Sequence, residues 1–315
     1  DPAAATDARF AAQSYATIGL AFGTTMTIVG LLATFGTLHV RARLTPSRAA
    51  RGRLVALPGT IREALRNPPF RVLVVASALS TMAAAINAAL AMHFLTYHAR
   101  IADSRAVSLV FAAFYVGALV GVLVWVRVAR RVEKAIVNAG TLLATAVVIS
   151  GAYWLVGEGR PFGIGNVAVM VLLNGLIGLF GIASAVLAQS MMGDITTQDE
   201  QCTGHPREGT FFGIYSFSQQ IASGLAILAA GILVDGFAQL VPGQAAQSAT
   251  TAKNLAAVAT LLPAGLLVCA SLVARRYRLT RQELVSGRAS ADIGPRLSVP
   301  ADARARERRL GAVEP

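Results

Sequence analysis

The sequence predicts an all-α membrane protein with seven transmembrane helices, and three observations carry that prediction. Of 315 residues, 55% are hydrophobic and 14% charged, whereas an ordinary soluble domain carries about 25% charged residues. The charges are kept out of seven apolar stretches, each about 20 residues long, enough to cross a hydrocarbon core about 30 Å thick at about 1.5 Å per residue. No stretch alternates with period two, as a membrane barrel strand would.

In chain order, residues 1–13 are acidic and Ala-rich, with no positive region leading into an apolar core, and do not read as a signal peptide. The first segment, 14–39, carries Thr24, Thr25, Thr27, Thr34 and Thr37, whose hydroxyls can bond back to their own helix. Residues 41–69 follow, with seven arginines between Arg41 and Arg66. They suit a linker between two helical bundles, or alternatively a basic amphipathic helix on the inner leaflet. The linker is the preferred reading. The second segment, 70–96, holds Asn87 near mid-depth. The third, 106–126, has a GxxxG pair at Gly117 and Gly121, and the fourth is 135–156. The fifth, 166–192, presents Asn174, Gly178 and Ala185 on one face, with Gly175 and Gly181 alongside. Small residues so placed permit close helix approach. The sixth, 211–234, is the most polar, and the seventh, 255–274, is interrupted by Pro263, which should kink it. Residues 275–315 begin as a basic extension; beyond Ser286, glycine, proline and mixed charge predict disorder.

Lysine and arginine distribution gives a direction. One side, comprising the connections after the first, third and fifth segments and the tail, holds 23 of the 28 basic residues; the other side holds Arg9, Arg100, Arg105, Arg160 and Lys253. The basic side should be cytoplasmic, with the N-terminus outside and the C-terminus inside. An outer N-terminus without a leader, followed by an odd number of spans, predicts a fragment cut within an outer loop. The net charge of +12 is thereby explained by topology and anionic headgroups rather than by nucleic acid. Cys202 and Cys269, 67 positions apart, suggest neither a disulfide framework nor a zinc site.

Ionisable residues at membrane depth are functional candidates, yet the middles of the seven segments contain no Lys, Asp or Glu. Arg71, Arg127, Asp235, His39 and His93 sit near span ends, where reaching the interface explains them. His93 and His98, five apart, face different sides and make a poor metal pair. What remains is neutral. In the sixth segment Gly213, Ser216, Gln220 and Gly224 form one stripe, with Tyr215, Gln219 and Ser223 beside it. Two adjacent amides should face other helices or a water-filled cavity, where each offers donor and acceptor to a hydroxylated or zwitterionic ligand. The alternative is an interhelical hydrogen bond that only holds the bundle together. Retinal binding would need a Schiff-base lysine in the seventh segment, which has none. An intramembrane enzyme would need paired acids, an activated serine or a metal cluster at depth. A seven-helix receptor shares the topology and stays open as an alternative.

The most distinctive stretch follows the fifth segment: Asp194, Asp199, Glu200, Thr203, Gly204, Arg207, Glu208 and Gly209. It resembles the junction between the tenth and eleventh helices of the glycoside-pentoside-hexuronide:cation symporter family of the major facilitator superfamily, with Thr197 replacing or shifting one acid of that pattern. Asn67-Pro68-Pro69-Phe70 similarly resembles the turn that leads into the family's seventh helix. The family includes bacterial melibiose permeases and vertebrate lysophospholipid carriers.

The resemblance implies that the seven segments correspond to the sixth through twelfth helices of a twelve-helix carrier. The chain would then divide into an outer loop and last N-terminal-bundle helix (1–40), a basic cytoplasmic linker (41–69), a six-helix C-terminal bundle (70–274) and a cytoplasmic tail (275–315). It also implies a secondary transporter of the cytoplasmic membrane, not an enzyme and without a cofactor, that moves a sugar or glycoside by alternating access. A lysolipid or other amphipathic cargo is the alternative. The partners would be the lipid bilayer, the solute and the first five helices of the same carrier. Asn87, Asn174, Tyr215, Ser216, Gln219 and Gln220 would line the C-terminal wall. Asp194, Asp199, Glu200, Arg207 and Glu208 would form a cytoplasmic latch, made in one facing state and broken in the other. The family often carries a lysine twelve residues after the motif glutamate, and the matching position here is Gln220. Sodium or proton coupling would rest on carboxylates in the second and fourth helices, which the alignment places outside this chain.

Overall fold

The computed structural model describes residues 12–41, 57–204, 207–241 and 247–279. Contacts divide the chain into two units, Asp1–Leu57 and Pro58–Pro315. The first contains α1 (Ala12–Arg41), in which Thr25, Thr27, Thr34 and Thr37 each donate to the carbonyl four residues back at 2.8 Å. Such bonds satisfy hydroxyls that lipid could not. Leu20, Phe22, Met26 and Phe35 are exposed. Residues 42–56 of the basic link and the tail beyond 279 lie outside the described residues.

In the second unit a short helix, α2 (Leu57–Arg66), precedes six long ones: α3 (Pro68–His93), α4 (Ser104–Val128), α5 (Lys134–Leu155), α6 (Val167–Thr203), α7 (Glu208–Leu233) and α8 (Ala249–Ala274). One π-helical turn each extends α3 through His98 and α7 through Ala238. The starts are written in the sequence. Asn67, Asp103, Asn166 and Ser248 each accept from backbone N–H groups in the first turn of α3, α4, α6 and α8, satisfying donors with no intrahelical partner. Pro68 and Pro69 open α3, where no N–H is required.

The last part of the expected linker carries the short helix α2. One expectation needs correction. The acidic motif is not a loop: α6 runs through it to Thr203 and stops at Gly204, whose φ of +72° is the left-handed conformation that ends a helix. Hydropathy falls at Met192, but polarity alone does not break a backbone ladder; Gly204 does. Pro263, in turn, lies inside α8, which continues on both sides of it.

Helix α4 packs on α6, α6 on α5, α5 on α8, α8 on α3 and α3 on α7, while α3 also meets α6. Helices α3, α5, α6 and α8 thereby close on one another, with α4 added on α6 and α7 on α3. Close approach of α4 and α6 depends on glycine: a Cβ on Gly117 would lie 2.0 Å from the Gly175 carbonyl oxygen, and one on Gly178 would lie 2.0 Å from that of Phe114. The two outer helices leave apolar side chains exposed, among them Leu119 and Leu123 on α4 and Leu225 and Leu228 on α7. Among the described residues, seven helices, α1 and α3 to α8, are long and apolar enough to cross a membrane.

Candidate functional site

The two amides of α7 face different surroundings. One face of this helix packs through Phe211, Ala222, Ala226 and Ala230, mainly toward α3. Gln219 lies at the edge of that face, half-buried, and the Thr81 hydroxyl on α3 donates to its Oε1. Its Nε2 is buried without a hydrogen-bond partner. Gln220, 100° further round the helix, is exposed and makes no hydrogen bond among the described residues, as does Ser216 one turn earlier. Tyr215 is half-buried against the cluster of Phe70, Phe211, Met191 and Ile195. The expected stripe of Gly213, Ser216, Gln220 and Gly224 is thus one exposed face, and Gln219 beside it is the amide that turns inward to Thr81.

Asn87 and Asn174 meet at one small cavity of about 30 Å³, between α3, α4, α5, α6 and α8. Asn174 donates back to the Met170 carbonyl of its own helix at 3.0 Å. Asn87 donates across to the Ala259 carbonyl of α8 at 3.2 Å. That acceptor is explained by Pro263. A helical carbonyl normally receives the N–H four residues later, and proline has none, so Ala259 is left with a free acceptor that Asn87 occupies.

The charged residues gather at the end of the bundle where α6 passes to α7. The Arg207 guanidinium grips Asp199 with two bonds, Nε to Oδ2 at 2.9 Å and Nη2 to Oδ1 at 2.7 Å, and reaches Glu63 on α2 at 2.9 Å. The Asp199 side chain is only 2% exposed and that of Arg207 15%, so this pair is largely desolvated. Hydrogen bonding to Asp199, opposed by burial and assisted by the charges of Asp199 and Glu63, raises the Arg207 pKa above its ordinary value. Asp194 instead pairs with Lys134 at the start of α5. Glu200 and Glu208 are exposed and make no ion pair among the described residues. Asp199 and Arg207 thus tie the end of α6 to the start of α7, and Glu63 adds α2.

Sequence reasoning missed Thr81, Glu63 and Lys134 as partners. Thr81 had a visible signal, since it follows the buried Ser77 by one helical turn on an otherwise alanine-rich stretch. Glu63 and Lys134 had none, because their partners are 144 and 60 residues away.

A family model described as MFS/sugar transport protein matches residues 6–281. A putative sulfoquinovose importer of Salmonella typhimurium is 29% identical over 220 residues, covering 69% of this chain and 44% of the relative. The chain therefore spans less than half the length of that relative.

Proposed function

Because the chain belongs to the MFS/sugar transport protein family, a family of transporters rather than enzymes, we propose that it forms one wall of a solute pathway through the membrane. The solute is a sugar, and the opposite wall comes from a second helical lobe of the same carrier, the two rocking about a site near mid-membrane. The observation that carries this reading is Gln220. It lies twelve residues into α7, about 18 Å from the helix start at about 1.5 Å per residue, exposed and without a partner. An unpaired amide at that depth is costly against acyl chains and favourable against a wet cavity. Ser216 shares its face, and Gln219 lies behind it, positioned by Thr81.

The chemistry of this wall is neutral. Amide and hydroxyl groups can donate to and accept from sugar hydroxyls without charge. Sulfoquinovose, suggested by the Salmonella relative, is one candidate; its sulfonate would be received outside the neutral stretch Tyr215–Gln220. The middles of α3 to α8 hold no Asp, Glu or Lys, so a coupling sodium ion or proton would be bound by the other lobe. The basic side of the molecule would be cytoplasmic.

The test is uptake of radiolabelled sugars, sulfoquinovose included, by cells expressing the full-length carrier. Gln220→Ala should lower the uptake rate by about tenfold, corresponding to loss of about 1.4 kcal/mol of ligand hydrogen bonding, with membrane content unchanged. Wild-type kinetics in that variant would remove Gln220 from the pathway.

A further inference from the structure

The end of the bundle that carries the α4–α5 turn holds a groove of about 650 Å³, lined by no residue of α7. Its walls combine two chemistries. Val126 on α4 and Val186 on α6 supply an apolar flank, continuous with the exposed Leu119 and Leu123 of α4. Arg130 and Arg131, in the turn, are exposed and make no ion pair among the described residues. Lys134, Asp194 and Glu133 also line the groove, giving three cations against two carboxylates, and Lys134 and Asp194 neutralise each other. That leaves Arg130 and Arg131 against Glu133, an excess of one positive charge.

An independent feature lies in the same wall. Tyr277, just beyond α8, is 7% exposed, and its hydroxyl is buried without a hydrogen-bond partner. Burial, with help from the Asp194 charge, pushes its phenol above the ordinary range, so it remains an O–H donor. A buried donor with no acceptor costs free energy, and a shift of the Tyr277 ring toward the groove it lines would let a ligand oxygen remove that cost.

We propose that this groove is a binding site for one anionic phospholipid, with the phosphate diester on Arg130 and Arg131, a headgroup oxygen near the Tyr277 hydroxyl, and an acyl chain along the flank of α4 and α6. Zwitterionic lipid suits the site less well. Its ammonium group would meet the unpaired arginines, whereas a glycerol headgroup leaves the phosphate charge uncompensated and offers further oxygens. Basic pockets between membrane helices at the headgroup level generally recognise lipid in this way.

The test uses the full chain in mixed micelles, with lipid retention read by native mass spectrometry. Phosphatidylglycerol should be retained in preference to phosphatidylcholine of the same acyl composition. Arg130→Gln together with Arg131→Gln should reduce that preference by at least about fivefold, and Tyr277→Phe should reduce it without altering phosphatidylcholine retention. Equal retention of the two lipids by the wild-type chain would overturn the proposal, as would an unchanged preference in the arginine variant. Loss of bound phosphatidylglycerol to millimolar inorganic phosphate would do the same, since it would indicate a soluble-anion site. Should the variants fail to fold, photoreactive phosphatidylglycerol on the wild-type chain decides the matter. Crosslinks within residues 119–134 and 183–194 support the site, and crosslinks confined elsewhere refute it.

Discussion

Replacing Asn87 by leucine, which is close to it in bulk, removes the amide that donates to the Ala259 carbonyl at 3.2 Å. Ala259 is 1% exposed, and Pro263 cannot supply the missing N–H. The carbonyl is then left without its protein partner. Leaving a buried acceptor unsatisfied costs about 1–3 kcal/mol in general, whereas hydrogen bonds between membrane helices average about 0.6 kcal/mol and reach about 1.7 kcal/mol. Because the residue that would normally donate to this carbonyl is Pro263, the upper part of that range is favoured, and we expect a loss of about 1–2 kcal/mol. Pro263→Ala should change the outcome, because alanine at 263 donates its own N–H to Ala259 through the helical ladder. On that background the cost of Asn87→Leu should fall to about 0.5 kcal/mol or less, giving a coupling of about 1 kcal/mol. The assay is equilibrium unfolding of the four proteins in mixed micelles. Identical costs of Asn87→Leu in both backgrounds, within about 0.3 kcal/mol, would refute the assignment of Asn87 to the acceptor that Pro263 leaves free.

Other substitutions probe separate parts of the account. Gly117→Ala places a Cβ 2.0 Å from the Gly175 carbonyl oxygen, so α4 and α6 must part; a loss of about 1–3 kcal/mol is expected, read as a lower unfolding midpoint. Asp199→Asn leaves the largely buried Arg207 charge without its main counterion and should destabilise by about 3 kcal/mol. Arg207→Lys should recover little of the pairing because an ammonium cannot make the two-pronged contact, and a near-native midpoint in that variant would speak against the geometry. Gly157 has a φ of +128°, and a Cβ there would lie 2.6 Å from Nε2 of His98, whose ring bonds the Val156 carbonyl. Gly157→Ala should therefore cost about 1–3 kcal/mol, and a neutral effect on thermal unfolding would contradict that reading.

The sequence made the spans legible because lipid imposes one requirement on every residue of a segment, and hydropathy sums it. The small-residue faces of α4 and α6 were equally plain, since Gly117 and Gly178 act through backbone approach that needs no knowledge of rotamers. The acidic motif was visible but its conformation was not. Hydropathy marks where a helix leaves the apolar layer, near Met192, whereas α6 ends only at Gly204. On α7 the polar stripe was visible, but not which amide turned inward. Residues 219 and 220 differ by 100°, and the decision rests on Thr81, 138 positions earlier. Asn87 was visible as an amide at depth, yet its acceptor depended on joining it to Pro263, and the separation of 172 residues between Asn87 and Ala259 hid the contact. His98 was weighed only as a poor metal partner for His93, yet it is buried against Val156 and Gly157 of the loop after α5, a contact that periodicity cannot show.

The central claim is that the outward face of α7 borders a solute pathway. Gln220→Cys in the full-length carrier, with Cys202 and Cys269 replaced, can be treated with a hydrophilic maleimide in the presence and absence of the transported sugar. Labelling that proceeds in buffer and slows at saturating sugar is the expected result. A thiol at position 220 that stays unlabelled, or that reacts at the same rate with and without sugar, would contradict the account.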